Sequence, residues 1–259
     1  MTWKTRQRSD FAGLSAIVAG SGPKILLIHG VGLRAEAWNQ QIDALSARYH
    51  TIAVDMPGHG ESACPTGEMV LSDYTDAIAA GLESPVLVVG HSMGAMIALD
   101  LASRFPALVQ GVAALNAVFE RSPEAAKAVA ARAASFDGVS LSDPEPTLKR
   151  WFVDAQTSER QACGDWLTTV DPEGYRLAYT SFARENGPSR KSLAVLACPA
   201  LFMTGGDEPN STPDMSQNMA THAPKGRAII VENAAHMMPM THSHHVNAAL
   251  SDFASEVWA

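Results

Sequence analysis

An open, mostly parallel α/β sheet, wound on both faces and interrupted by a run of helices between two of its strands, is the fold class the sequence predicts. Three observations predict it. Short apolar runs end in Gly, Asp, Asn or His-Gly; stretches of helical length separate them; and one long segment, residues 119–193, contains no run of strand character. Apolar runs without polar alternation suit strands covered on both faces. Strand alternating with helix implies right-handed crossovers and a doubly wound sheet.

The elements follow in order. Residues 14–19 form an antiparallel edge strand, and residues 25–28 form the first parallel strand, ending at His29-Gly30. A helix over 34–48 leads to a strand at 51–54, ending in Asp55, and a helix over 71–82 leads to the strand at 86–89, ending in Gly90. The helix at 93–104 precedes the strand at 112–115, ending in Asn116. After the insertion come a strand at 201–203 with Thr204-Gly205 behind it, a helix at 213–222, a strand at 229–231 and a final helix at 243–257. Inside the insertion, Ala-rich or charged helical patches cover 125–135, 146–152, 159–168 and 174–184, punctuated by Asp143-Pro144, Asp171-Pro172 and Asn186-Gly187-Pro188. The division that results is a core of residues 1–118 and 194–259 and a helical cap, or lid, of residues 119–193.

Composition narrows the partners. The 259 residues are 46% hydrophobic and 18% charged, which excludes disordered, collagen-like and coiled-coil chains. Nineteen Lys and Arg stand against 27 Asp and Glu, a net charge of -8 with no basic run, so neither nucleic acid nor an anionic membrane is an expected partner. Cys64, Cys163 and Cys198 are far apart and odd in number, so no disulfide framework or zinc knuckle is expected and a reducing compartment fits. The polar start lacks the apolar segment of a secretion signal, and no apolar run reaches the ~18 residues of a membrane span. The expectation is a cytoplasmic protein, monomer or homo-oligomer, acting on a small molecule.

In an open parallel sheet, ligands sit beyond the carboxyl ends of the strands. The sharpest signal there is Gly90-His91-Ser92-Met93-Gly94, directly after a buried strand and opening a helix. A serine on so sharp a turn has strained dihedrals, and glycine two residues to either side avoids collision, lifting the hydroxyl above the sheet. Ser92 is therefore the candidate nucleophile. His29-Gly30-Val31-Gly32 ends the first parallel strand, and the N–H groups of Val31 and Met93 are the candidate oxyanion donors. His29 itself is expected to shape that loop rather than to act as a base. A base must reach over the sheet from its far end, which selects His236 in the small-residue loop after the last strand. His242, His244 and His245 have a metal-like spacing but no acidic partners, and are expected to be solvated. The acid that orients the base should follow the strand at 201–203, where Asp207 and Glu208 are both candidates and Asp214, a residue of a helix first turn, is the weaker third. His29, Gly30, Trp38 and Met237 are expected to line the substrate pocket, with Met93, Met238 and Met240 keeping it largely apolar. Arg34 is either a carboxylate contact or a solvated helix-start residue. Trp151, Phe152, Trp166, Tyr175, Tyr179 and Phe182 either line the underside of the cap or fill its own core.

Taken together, His29-Gly30, the stretch Asp55-Met56-Pro57-Gly58-His59-Gly60-Glu61-Ser62, the Ser92 pentad, the Gly205 loop and His236 resemble the α/β-hydrolase superfamily over nearly the whole chain. Size and the single helical insertion resemble enol-lactonases and small carboxylesterases within it. The resemblance implies an α/β-hydrolase fold and a serine hydrolase that cleaves a small ester or lactone through an acyl-enzyme intermediate, with no metal or cofactor. It also implies an acid three residues after a strand-ending glycine, which favours Glu208, although Asp207 has the usual residue type. Carbon–carbon bond hydrolysis, thioester cleavage and perhydrolysis use the same triad. Met237-Met238 after His236, where carbon–carbon hydrolases usually carry Trp, argues against the first of these. A non-catalytic receptor would have no need of a base behind the serine.

Overall fold

The computed structural model describes residues 3–153 and 155–259; Met1 and Thr2 of the polar start, and Asp154 of the insertion, lie outside the described residues. Eight strands form one sheet: β1 (Ser9–Phe11), β2 (Leu14–Ala19), β3 (Lys24–Ile28), β4 (His50–Val54), β5 (Val86–His91), β6 (Val109–Leu115), β7 (Ala200–Gly205) and β8 (Gly226–Val231), in the order β1-β2-β4-β3-β5-β6-β7-β8. From β4 to β8 neighbouring strands are parallel, whereas β2 runs antiparallel to both β1 and β4. The segment 14–19 is thus antiparallel as expected but is not the edge. Three residues of β1, too short and too polar to register as a strand, cover its outer side.

The unbroken apolar runs have a simple cause. Successive side chains of a strand point to opposite faces. Leu26 and Ile28 enter one core with Val88, Val112 and Phe202, while Ile25 and Leu27 enter the other with Val89, Ala113 and Leu201. The first core is closed by α2 (Leu71–Ala79), α3 (Met93–Arg104) and α9 (Pro213–His222), the second by α1 (Asn39–Leu45) and α11 (Ser243–Val257). Two helices are shorter than the sequence predicts. A 3-10 turn at Ala35–Trp38 precedes α1, which ends at Leu45, and α2 stops at Ala79 rather than at residue 82.

Between β6 and β7 lie α4 (Pro123–Ala133), α5 (Glu145–Phe152), α6 (Ser158–Leu167), α7 (Pro172–Arg184) and the short α8 (Arg190–Ala194). Several polar residues that punctuate this segment are helix starts. The side chains of Ser122, Thr157, Asp171 and Ser189 accept from backbone N–H groups in the first turns, and Pro123 and Pro172 occupy the first helical positions, where a missing N–H costs nothing. A last short helix, α10 (Met238–Thr241), leads into α11.

Candidate active site

Ser92 joins β5 to α3 with φ 57° and ψ -119°, a backbone state that costs a non-glycine residue of order 1–3 kcal/mol. Its neighbours explain why the turn is built from glycine. A Cβ on Gly90 would strike the Gly94 carbonyl, and one on Gly94 would strike the carbonyls of Ile28 and His29. The helix therefore packs backbone against backbone on β3 and β5, with Ser92 at the turn between strand and helix. Its N–H is tied to the Leu115 carbonyl of β6 at 2.9 Å. Met93 opens α3, and an N–H at this first position has no partner within the helix and carries the positive end of its dipole.

The loop after β3 is pressed against this turn, since a Cβ on Gly30 would lie 3.0 Å from the Ser92 Cβ. Two neutral histidines fix its shape. His29 Nε2 accepts from Met56 N–H at 3.0 Å and its Nδ1–H donates to the Gly30 carbonyl at 2.8 Å. His59 Nε2 accepts from Gly32 N–H at 3.0 Å and its Nδ1–H donates to the Pro57 carbonyl at 3.2 Å. Burial pushes His29 down to about 4, and burial together with the nearby His29 pushes His59 down to about 3. Nitrogens that must accept from backbone N–H groups are thereby kept unprotonated.

At the far end of the sheet, Glu208 Oε2 lies 2.7 Å from His236 Nδ1. Asp207 is exposed, its N–H bonded to the Ala234 carbonyl, so this tight turn sends the two adjacent side chains in opposite directions and only Glu208 reaches the imidazole. Asp214 is exposed in the first turn of α9. Glu208 Oε1 accepts from the N–H groups of Asn210 (2.8 Å) and Ser211 (3.3 Å), and Oε2 also accepts from Asn116 Nδ2 at 3.3 Å. Burial pushes the carboxyl up, but the His236 imidazole and these donors outweigh it and hold Glu208 below its ordinary value. His236 is clamped further. Its carbonyl accepts from His91 Nε2 at 2.8 Å, and the Trp151 ring stacks on its imidazole with centroids 5.6 Å apart. With Nδ1 engaged by Glu208, Nε2 is the ring nitrogen left for a reacting group.

Ser92, His236 and Val31 stand in the wall of one cavity of about 460 Å³, large enough for a small metabolite. Its lining corrects the sequence-based expectation. His29, Gly30, Trp38 and Met237 do not form its wall: all four are buried, Trp38 in the core beneath the sheet and Met237 in the core above it. Trp38 and Met237 instead flank a separate cleft too small for a substrate. Arg34 is ion-paired with Glu36 at 2.8 Å and serves the 3-10 turn. The helices after β6 supply most of the wall. Trp151, Tyr175, Tyr179 and Phe182 line it, whereas Phe152 is buried in the core and Trp166 meets Trp3 edge-on at 6.3 Å. The wall is largely apolar, as expected, but also carries Arg121, Arg132 and Arg150, which the sequence does not single out.

Some residues here escape sequence reasoning. Asn116, just past the carboxyl end of β6 with φ 52°, donates to Glu208; an asparagine closing the apolar run at 112–115 is the sequence signal that could have found it. The three arginines give no sequence signal, because Arg121 in the loop before α4 and Arg132 and Arg150 on short helices are indistinguishable from solvent-facing residues. Among the described residues no group of His, Cys, Asp and Glu has the arrangement of a metal site, and no helix is long and apolar enough to cross a membrane.

Comparison with known proteins agrees with this architecture. A family model described as the alpha/beta hydrolase family matches residues 25–249. The (E)-2-((N-methylformamido)methylene)succinate hydrolase of Acinetobacter baylyi is 38% identical over 258 residues, spanning 96% of this chain and 97% of that protein. A thermophilic esterase from Thermogutta terrifontis superposes with a TM-score of 0.86 at 23% identity, covering 97% of this chain and 99% of its own. The enol-lactonase from Burkholderia xenovorans gives 0.80 at 23% identity, covering 96% and 100%. These two show the shared fold. With a family model over most of its length and a relative of 38% identity from end to end, the chain belongs to the alpha/beta hydrolase family and is a hydrolase.

Proposed function

We propose that this hydrolase cleaves a carboxylic ester or lactone by nucleophilic acyl transfer from Ser92. His236 takes the Ser92 proton through Nε2, Ser92 Oγ attacks the carbonyl carbon, and the leaving group accepts the proton as the acyl-enzyme forms. Water then cleaves that intermediate by the same route in reverse. Glu208 is the acid of this triad: it holds the imidazole in the tautomer with Nδ1 protonated and stabilises its charge as it forms. The N–H groups of Val31 and Met93 receive the oxyanion, each worth about 3 kcal/mol of barrier. The five helices between β6 and β7 act as a cap that closes the cavity over the strand ends. The observation that carries the reading is that His236, paired with Glu208 at 2.7 Å, stands in the same cavity wall as the strained Ser92.

A second reading concerns the bond. The 38% identical relative is named for a substrate with an N-methylformamido group, and an acyl–nitrogen bond yields to the same triad. A panel of p-nitrophenyl esters of rising acyl length, several lactones and N-formyl enamides, assayed with wild type and Ser92→Ala, tests both. Turnover of at least one class, lost in the variant, supports acyl transfer from Ser92. Undiminished turnover in Ser92→Ala removes it, and the class turned over decides between the two bonds.

A further inference from the structure

The cavity wall has an electrostatic feature that acyl transfer alone does not require. Arg121, Arg132 and Arg150 all face it, and guanidinium groups stay protonated at any physiological pH. The chain has eight more acidic than basic side chains, and Arg8, Arg34, Arg104, Arg160, Arg176 and Arg190 all have carboxylate partners. Among the described residues none of the three wall arginines lies within ion-pair distance of one. Unpaired charge in a partly dry cavity costs free energy unless a ligand supplies the counter-charge.

The three are arranged as two stations. Arg121 is 8% exposed; its Nη1 donates to the carbonyls of Phe182 and Glu185, its guanidinium lies 4.3 Å from the Phe182 ring centroid, and its Nη2 is buried with no partner. The Glu185 carboxylate acts on it only at longer range, and burial holds its pKa below the ordinary value. Arg132 and Arg150 form the other station. Both donate to Thr147 Oγ1, at 2.6 and 3.4 Å, so two like charges converge on one neutral oxygen. The Arg132 guanidinium lies 5.3 Å from the Tyr179 ring, itself 5.9 Å from the Phe182 ring that Arg121 covers. The Phe182 and Tyr179 rings thus lie between the stations, so the wall offers two separate cationic positions rather than one.

We propose that Arg121 and the Arg132–Arg150 pair are two carboxylate seats of one site, and that the substrate is a small dicarboxylate derivative held by its charged ends while its scissile acyl group meets Ser92. The planar fork of arginine matches the two oxygens of a carboxylate. The proposal deepens the acyl-transfer reading and rests on it for the placement of the scissile bond, not for the seats.

Two measurements test it. In the first, glutarate, valerate and inorganic phosphate are titrated calorimetrically into wild type, Ser92→Ala, Arg121→Gln and Arg150→Gln. Glutarate should bind wild type and Ser92→Ala alike, at least about tenfold more tightly than valerate or phosphate, and lose about fivefold or more in each arginine variant. Arg150 is exposed at the rim, so its variant reports even if Arg121→Gln unfolds. In the second, mono-p-nitrophenyl glutarate, which keeps one free carboxylate for one seat, should show a kcat/KM about tenfold above that of p-nitrophenyl valerate. That excess should fall in Arg121→Gln or in Arg150→Gln while valerate ester turnover stays unchanged. Glutarate binding no tighter than valerate or phosphate, or unchanged in Arg150→Gln, overturns the proposal. Arginine-dependent glutarate binding with no ester, lactone or amide hydrolysed would instead overturn the acyl-transfer reading and leave the seats standing.

Discussion

Acid should weaken this protein through three histidines that the fold keeps neutral. His29, His59 and His91 are at most 2% exposed; His29 and His59 spend both ring nitrogens on backbone partners, and His91 spends its Nε2 on the His236 carbonyl. Burial pushes all three down, to about 4, 3 and 3, from an ordinary 6.5. A folded pKa below the unfolded one means that the unfolded chain binds more protons. The stability these groups contribute is therefore complete above pH 6.5 and is lost as the pH falls from there toward the folded values. Between pH 7 and pH 5 each histidine should remove about 2 kcal/mol, so the three together remove about 6 kcal/mol, a large part of a domain's total stability. Urea unfolding followed by circular dichroism at pH 7, 6 and 5 measures this directly. Replacing His59 by Gln, which keeps an acceptor and cannot protonate, should cut the pH slope by about one third even if stability at pH 7 also falls. A stability that is flat over this range, or an unchanged slope in the variant, would refute the argument that these imidazoles are held neutral.

Other outcomes follow from the same geometry. Glu208→Gln should lower kcat by about 10³-fold or more with little change in KM, because the wrong imidazole tautomer is then held, while Asp207→Asn should stay within about twofold; steady-state kinetics on any turned-over ester checks both. Asn116→Ala removes a donor to Glu208 Oε2 and to Thr204 Oγ1 and places alanine in a left-handed backbone, so a loss of about tenfold in kcat together with a lowered Tm is expected. Gly94→Ala drives a Cβ into two strand carbonyls that cannot yield and should cost more than about 3 kcal/mol in urea unfolding.

How much of this was legible in the sequence varies by region. The buried strands were, because a strand covered on both faces must be apolar at every position, and residues 25–28 could be little else. So was the Ser92 turn, since the spacing of Gly90 and Gly94 is dictated by backbone collisions that a sequence records. The three-residue β1 was not: Ser9 and Asp10 are exposed, and only pairing with β2 makes them a strand. The choice between Glu208 and Asp207 was open because the two carboxylates differ by one position in a turn whose hydrogen bonds to Ala234 and Gly205 decide which way each side chain leaves. The pocket was misjudged for a related reason. Nearness in sequence to the nucleophile and base drew in Trp38 and Met237, yet these face the two cores. The cavity is instead lined largely by the segment some thirty to ninety residues beyond Ser92 in sequence, whose inward arginines only the packing reveals.

The central claim is that Ser92 is made nucleophilic by His236, which Glu208 holds in place. The rate of covalent labelling by a fluorophosphonate, followed by intact mass and peptide mapping, tests it most directly. The account predicts a single adduct on Ser92 in wild type, no adduct in Ser92→Ala, and a rate at least about 100-fold lower in His236→Ala. An adduct on another residue, or a His236→Ala rate equal to wild type, would contradict it.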